Sequence, residues 1–173
     1  MKILALDPAT LCGWAHTNGK SGTWDLKPKR DESRGMRLVR LRLRLKKMLM
    51  KYDIDMLVFE AARHAGPKMQ GALVVQSEMQ GVIKLWCELK GIEYKGYSPS
   101  EIKKFATGKG NAGARKRRKK GDVSPQPKRK KGAGKQAMRV AALNRWPDME
   151  EADDNEIDAK WLLALATKQF GSV

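Results

Sequence analysis

Two short apolar runs in this chain each end in an acid, and this pattern constrains the fold most. The chain opens MKILALDPATLCGWA, where four apolar residues precede Asp7, and IDMLVFE at residues 54–60 ends in Glu60 in the same way. Short, continuous apolar runs of this kind predict buried strands rather than helices. A single acid at a strand end is typical of a turn or cap residue. Two of them, each ending a core strand, favour a shared site.

The next patterns indicate a meander followed by a helix. Residues 2–26 are strand-like and broken by turns, with Asn18-Gly19 as a hairpin signal, so we expect three consecutive strands. Residues 31–52 place apolar side chains at helical spacing, namely Leu38, Leu41, Leu45 and Met48. Within this segment VRLRLRL alternates with period two, which would suit an exposed strand. The length of the segment and its Leu, Arg, Lys and Met content favour the helix.

Helices and strands alternate through the rest of the chain. We expect a helix over residues 72–90 that ends at Gly91, a strand in IEYKGY, and a helix in SPSEIKKF capped by Ser98 or Ser100. Two further helices are expected over residues 135–145 and 152–168. This order of elements predicts an α/β sheet domain, and 173 residues are most simply a single domain.

A basic segment at residues 109–134 interrupts these elements. It contains no aromatic residue and one acid, Asp122, and we expect it to be disordered when unbound. The whole chain carries a formal net charge of +17, which predicts a polyanionic partner. Nucleic acid fits better than a membrane, because no segment joins this charge to a large apolar face. We expect the segment to clamp DNA through Lys109, Arg115, Lys116, Arg117, Arg118, Lys119, Lys120, Lys128, Arg129, Lys130 and Lys131.

The cysteines and the hydropathy indicate the cellular compartment in which we expect the protein. Cys12 and Cys87 are too few for a disulfide framework or a zinc site, and their apolar neighbours indicate core thiols in a reducing compartment. No stretch reaches the ~18 apolar residues that span a bilayer, so we expect a soluble, cytoplasmic protein without a membrane partner. KRRKK and KRKK also match a bipartite nuclear signal, which would matter only in a eukaryotic nucleus.

A third group of acids lies in EADDNEID at residues 151–158. On a helix, Asp154 and Asp158 are four residues apart and lie about 40° from each other around the axis, whereas Asp153 faces elsewhere. Carboxylates that meet at low dielectric repel one another, so such a cluster persists only when cations neutralise it. Ligation by oxygen alone selects Mg²⁺ or Mn²⁺ over zinc. Two such ions can activate a water and stabilise the leaving oxygen in phosphodiester cleavage.

Five stretches of the chain resemble a known family. They are ILALDPATLCGWA, LVFEAARHAG, YSPSEIKKFATGKGNA, GKQAMRVA and DDNEIDAKWLLALA, and they cover nearly the whole chain outside the basic segment and the first long helix. In this order they resemble RuvC-type Holliday junction resolvases, in a bacteriophage form. The resemblance implies a ribonuclease-H-like fold, with a mixed sheet flanked by helices. It also implies that Asp7, Glu60 and Asp158 are catalytic acids.

The fourth acid departs from the spacing familiar in this family. Resolvases of this type often carry it three residues before the final Asp, where this chain has Asn155. We expect Asp154 to take that place, with Asp153 as the alternate. The resemblance further implies two lysines that handle phosphate, matched here by Lys103 in SEIKK and Lys135 in GAGKQAM. Simple surface solvation is the alternative for both lysines.

The loop after the second acid also departs from the family. Family members insert an aromatic residue from this loop into the junction, and AARHAGPKMQG has none. We therefore expect Arg63 or His64 to open the DNA strands instead. We expect Lys104, beside Lys103, to contribute a further DNA contact.

These features predict an endonuclease that uses two Mg²⁺ or Mn²⁺ ions to cut four-way junctions or other branched DNA. The resemblance implies products with a 5′-phosphate and a 3′-hydroxyl. Symmetric cleavage needs two active sites, so we expect a homodimer, with the apolar helix over residues 72–90 as its interface. If a phage encodes the chain, it acts in the cytoplasm of the bacterial host.

Two alternative functions stay open from the sequence. The same acids would serve a less selective nuclease that trims flaps, replication forks or packaging intermediates. In a different class, the acids would be vestigial in a non-catalytic protein that binds branched DNA. A complete set of four acids argues against the second alternative.

Overall fold

A five-stranded sheet forms the centre of the described structure. The computed structural model describes residues 1–62, 70–108 and 132–171. The sheet has the order β3-β2-β1-β4-β5, and its strands are β1 (Ile3–Asp7), β2 (Leu11–His16), β3 (Ser21–Asp25), β4 (Met56–Glu60) and β5 (Glu93–Tyr97). β1 runs antiparallel to β2 and parallel to β4, and β5 runs parallel to β4. The sheet is therefore mixed, and the expected meander at the start of the chain is confirmed.

Helices cover both faces of this sheet. In the described ranges they are α1 (Met36–Lys51), α2 (Gln70–Lys90), α3 (Pro99–Thr107), α4 (Ala133–Arg145) and α5 (Asp154–Phe170). A 3₁₀ turn at Pro147–Met149 precedes α5. Each helix corresponds to one predicted from the sequence, and α1 confirms the helical interpretation of VRLRLRL. The ends differ by a few residues, and α4 begins at Ala133, inside the range expected for the basic segment.

The side chains of β1 and β4 alternate between two cores. One set packs with α1 and α2, and consists of Leu4, Leu6, Leu57 and Phe59. The other set packs on the opposite face with α3, α4 and α5, and consists of Ile3, Ala5, Met56 and Val58. Because successive residues of a strand point to opposite faces, Asp7 and Glu60 continue the second set. Both acids therefore lie on the face that α5 covers.

Local capping fixes the ends of α3 and α2. The Ser98 hydroxyl accepts a hydrogen bond from the Glu101 N–H at 3.3 Å, and the Glu101 carboxylate accepts one from the Ser98 N–H at 2.8 Å. This capping box makes Ser98, rather than Ser100, the cap of α3. Gly108 ends α3 with a φ of 72°, and Gly91 follows α2 with a φ of 63°. Both glycines adopt the left-handed conformation that favours this residue.

The two thiols occupy the core between the sheet and the α1–α2 layer. Cys12 and Cys87 are both free and buried, as the sequence predicts. Burial raises the pKa of the Cys87 thiol to about 12, so it behaves as an apolar side chain. Among the described residues, no helix combines the length and the apolar character needed to cross a bilayer.

Candidate active site

Asp7 and Glu60 end two adjacent parallel strands at one edge of the sheet. The register pairs Leu6 with Phe59, so the two acids take the next positions along β1 and β4. Both residues are partly buried. Gln80 on α2 is buried, and its side-chain amide donates to the carbonyl oxygen of Glu60 at 3.2 Å, which holds the end of β4. Sequence reasoning missed this glutamine, because its spacing on α2 does not distinguish it from a surface residue.

Asp158 approaches these two acids from the second turn of α5. Its neighbours in sequence, Ile157 and Ala159, are buried in the core and fix this part of the helix against the sheet. The charge of Asp158 raises the pKa of both Asp7 and Glu60. Three elements that are far apart in sequence thus place three carboxyl groups within electrostatic reach of one another. Their catalytic role stays a prediction.

Burial raises the pKa of all three carboxyl groups, and repulsion from neighbouring acids adds to it. Burial is the main cause for Asp7, whose pKa lies well above the usual 3.8, and the charges of Glu60 and Asp158 add to it. Burial, followed by the charge of Asp158, raises the pKa of Glu60 from 4.5 to about 7. Burial likewise raises the pKa of Asp158 to about 6. Because removal of water disfavours the charged form of a carboxyl group, a bound cation would relieve this cluster.

Two lysines act on the same carboxyl groups from α3 and α4. The charge of Lys103 acts to lower the pKa of Glu60 and Asp158, and the charge of Lys135 acts to lower the pKa of Asp7 and Asp158. Burial outweighs both lysines in the final values. The two side chains predicted to handle phosphate therefore lie within electrostatic reach of the acids.

Asp154 borders the cluster and is paired with α4. Its Oδ2 lies 3.2 Å from the Nζ of Lys135, and its Oδ1 lies 3.9 Å from the Nη1 of Arg139. The carboxylate is 42% exposed, and its charge acts to raise the pKa of Asp158. Arg139 also donates to two carbonyl oxygens in the turn before α5, at 2.7 and 2.9 Å. These hydrogen bonds hold the turn before α5 against α4. The sequence analysis did not identify Arg139 as a functional residue.

Asp153 caps α5. Its Oδ1 accepts hydrogen bonds from the N–H groups of Asn155 and Glu156, each at 2.9 Å, and from the hydroxyl of Thr23 at 2.8 Å. Burial acts to raise the pKa of Asp153, but these hydrogen bonds outweigh it and lower the pKa. An N-cap aspartate of this kind stabilises a helix by about 1 kcal/mol. This capping contact makes Asp154 the better candidate for the fourth acid.

Gly13 lets α5 approach the sheet beside Asp7. It is the residue of β2 that pairs with Asp7 of β1. A Cβ atom at this position would lie 1.9 Å from the backbone oxygen of Asn155 in the first turn of α5. Only glycine permits so close an approach. A glycine inside a strand is a known signal of such a contact, but a search for acids alone does not use it.

Several predicted DNA contacts lie outside the described residues. In the loop after β4 these are Arg63 and His64. In the segment between α3 and α4 they are Lys109, Arg115, Lys116, Arg117, Arg118, Lys119, Lys120, Lys128, Arg129, Lys130 and Lys131. Lys104 lies on α3 and is exposed. All of these contacts stay predictions.

The chemistry of the donor set suits a hard divalent cation. Asp7, Glu60 and Asp158 offer only carboxylate oxygens, which Mg²⁺ and Mn²⁺ accept readily. Within residues 1–62, 70–108 and 132–171, no group of three or more His, Cys, Asp or Glu side chains is placed closely enough to hold a metal ion. The charge of Asp158 nevertheless raises the pKa of Asp7 and Glu60, and the charge of Glu60 raises the pKa of Asp7, so the three groups lie within electrostatic reach of one another. To share one ion, their side chains would have to lie closer together than they do in this structure.

Comparison with solved structures relates this geometry to known folds. A structure of RuvC from Thermus thermophilus is similar, with a TM-score of 0.60 and 14% sequence identity, over 98% of this chain and 97% of that chain. T. thermophilus RuvC in complex with a Holliday junction substrate has a TM-score of 0.61 and 16% identity, over 99% and 94%. No protein-family model matches the sequence, and no curated protein matches it significantly. The protein has a RuvC-type, ribonuclease-H-like fold.

Proposed function

We propose that this protein is a metal-dependent endonuclease that hydrolyses four-way junctions or other branched DNA. The observation that carries the proposal is the cluster of Asp7, Glu60 and Asp158, three carboxyl groups that lie within electrostatic reach of one another and whose pKa values are raised mainly by burial. Such burial costs several kcal/mol unless a cation compensates it. The cluster destabilises the fold when it is empty and becomes favourable when it binds metal. The RuvC-type fold supports the same function.

In this proposal, four acids hold the metal. Asp7 and Glu60 are fixed by the ends of β1 and β4, Asp158 comes from α5, and Asp154 completes the set. Two bound Mg²⁺ or Mn²⁺ ions would supply Lewis-acid stabilisation of the scissile phosphate and lower the pKa of the attacking water. Because the first two acids end rigid strands of the central sheet, the protein positions them before substrate arrives.

The lysines then act on the phosphate. Lys135 is paired with Asp154 at 3.2 Å in the described structure. If Asp154 served as a metal ligand, the Lys135 ammonium would be free to contact the scissile phosphate. Lys103 approaches the cluster from α3 on the side of Glu60 and adds a second positive charge. Both side chains would thereby offset the negative charge that the phosphate gains in the transition state.

Two observations support branched DNA as the substrate class. The net charge of +17 favours a polyanion. The similar structure of T. thermophilus RuvC contains a Holliday junction substrate. A junction offers symmetry-related scissile bonds, and a two-fold homodimer would present one active site to each of two strands.

We propose that α2 forms the dimer interface. Three apolar residues of this helix, Met79, Ile83 and Trp86, are buried and face the core instead. The free apolar surface comes from Val74, Leu85 and Leu89, whose side chains are 55%, 61% and 73% exposed. These three residues lie within about 60° of one another around the helix. A second copy of the chain would cover this stripe.

Cleavage of matched DNA substrates tests the proposed function. A four-way junction should be cut faster in Mg²⁺ than a flap or a plain duplex of the same sequence. Asp7→Asn should bind the junction with unchanged affinity and lose cleavage, whereas Asp148→Asn, at an exposed position away from the cluster, should keep both. Equal cleavage of flap and junction would favour the less selective nuclease. Junction binding by the wild-type protein without cleavage in either Mg²⁺ or Mn²⁺ would favour the non-catalytic alternative.

A further inference from the structure

Helix α1 concentrates positive charge that the fold does not use. Its sequence MRLVRLRLRLKKMLMK has seven basic residues and no acid. In the part of the chain that the structure describes, the one ion pair of α1 joins Arg40 to Glu32. Arg37 is buried and donates to the carbonyl oxygen of Arg34 at 3.0 Å. We name the exposed cations of this helix the α1 ridge, which consists of Arg42, Arg44, Lys46, Lys47 and Lys51.

The α1 ridge carries a cost for the free protein. Arg42 and Lys46, like Lys47 and Lys51, are four residues apart, and like charges at this spacing destabilise a helix. No member of the ridge pairs with an acid among the described residues. The helix is anchored by its other side, where Leu41, Leu45 and Met48 are buried against the sheet. The charge is therefore not needed for packing, and a polyanion would remove the repulsion.

The ridge lies on the face of the sheet opposite the acids, on a helix that begins at the same edge of the sheet. β3 and β1 are both antiparallel to β2, so they run in the same direction, and β3 ends at the edge that carries Asp7. The chain then enters α1 through a segment that exposes four more cations, Lys27, Lys29, Arg30 and Arg34. The guanidinium of Arg40 donates to the carbonyl oxygen of Lys27 at 3.1 Å and ties this segment to the helix. Asp31 and Glu32 in the same segment reduce the net charge of residues 26–35 to +2, and positive charge continues from there along α1.

We propose that the α1 ridge is a second DNA-contact surface, which holds one duplex arm of the branched substrate by its phosphates. This inference rests on the proposed function. From Arg42 to Lys51 the ridge spans about 14 Å along the helix axis, which corresponds to about four base pairs of duplex. Phosphate contacts position a duplex without reading its sequence. The ridge would therefore add affinity and orient the arm without imposing a sequence preference.

The salt dependence of junction binding tests this inference. The test variant is R42Q/K46Q, and the matched control is K90Q/K168Q, which removes the same charge from exposed positions at the ends of α2 and α5. Both are made in the Asp7→Asn background, so that a fluorescent four-way junction stays intact during titration. Each lost phosphate contact lowers the slope of log affinity against log salt by about 0.9. In the test variant the magnitude of this slope should fall by about 1 to 2, and the control should keep the slope of its parent.

The outcomes separate this inference from the proposed function. If the wild-type protein cuts junctions but both variants show the parental slope, the α1 ridge is not a DNA contact and the proposed function still stands. If the wild-type protein neither binds nor cuts junctions, both the inference about the α1 ridge and the proposed function are wrong. Loss of binding to phosphatidylglycerol vesicles in the test variant alone, with an unchanged junction slope, would assign the ridge to a lipid surface and overturn the inference. Thermal unfolding should show that both variants are folded, because every replaced side chain is exposed.

Discussion

Replacing Glu60 by glutamine should stabilise the metal-free protein at pH 8 by about 3 kcal/mol. Burial and the neighbouring Asp158 raise the pKa of Glu60 from 4.5 to about 7 in the folded state. One pKa unit corresponds to about 1.4 kcal/mol, so at a pH above both values the charged side chain costs the folded state about 3 kcal/mol. Glutamine keeps the shape of the side chain and carries no charge.

The sign of the pH dependence follows from the two pKa values of Glu60. Below about pH 4.5 both states are protonated, and the side chain costs nothing. Between about pH 4.5 and 7 the unfolded chain releases its proton first, so stability falls as the pH rises. Above about pH 7 both states are ionised and the full cost applies. Asp158, with a folded pKa of about 6, adds a similar loss that begins near its usual value of 3.8.

Thermal unfolding in EDTA across this pH range provides the assay. At pH 8 the Glu60→Gln protein should unfold roughly 6–12 °C above the wild type, and the difference should vanish near pH 4.5. Mg²⁺ should raise the unfolding temperature of the wild type more than that of the variant. Glu93→Gln, at an exposed position on β5, is the matched control and should change neither profile. Equal unfolding temperatures for wild type and Glu60→Gln at pH 8 would refute the reasoning.

Two further predictions concern the packing and capping of α5. Gly13→Ala should destabilise the protein by about 3 kcal/mol in urea unfolding, because its Cβ would meet the backbone oxygen of Asn155. The control is Gly81→Ala on α2, where a Cβ meets nothing. This change should stabilise the helix by up to ~1 kcal/mol. Asp153→Ala should cost about 1 kcal/mol of stability and Asp153→Ser should restore it, while neither removes cleavage. Asp154→Ala should remove Mg²⁺-dependent cleavage without that loss of stability. If Asp153→Ala removed cleavage and Asp154→Ala kept it, Asp153 would be the fourth acid.

The sheet edge and the sheet face on which Asp7 and Glu60 lie were largely predictable from the sequence. A strand with a two-residue period fixes which side chains share a face, and an acid that ends each apolar run must lie at the strand end. The sequence does not determine which strands are neighbours. The parallel pairing of β1 with β4, and the register that brings Asp7 beside Glu60, depend on how the intervening helix crosses the sheet.

The choice between Asp153 and Asp154 shows what the sequence could not supply. A helix predicted to start at residue 152 places Asp153 inside its first turn, whereas the observed helix starts at Asp154 and leaves Asp153 as the cap. A shift of two residues changes a helical side chain into a hydrogen-bond acceptor for the helix end. The third donor to Asp153 comes from Thr23 on β3, and this contact depends on tertiary packing. Helix ends are therefore less predictable than the helix itself.

The contacts that position α5 could not be predicted from the sequence pattern either. Gly13 appears in the sequence only as a glycine within a strand, and its partner in α5 lies more than a hundred residues away. Arg139 lies on an amphipathic helix, where a solvated arginine is the ordinary interpretation. Its bonds to the turn before α5 become visible only when α4 and α5 are packed together.

The dependence of junction cleavage on Mg²⁺ tests the central claim most directly. A labelled four-way junction is incubated with the wild-type protein in EDTA and then at rising Mg²⁺ concentrations, beside the Asp7→Asn protein. Cleavage should be absent in EDTA, rise to saturation with Mg²⁺ in the wild type, and stay at background in the variant. Cleavage that is equally fast in EDTA, or that persists in Asp7→Asn, would contradict the assignment of the buried carboxyl groups as a metal site.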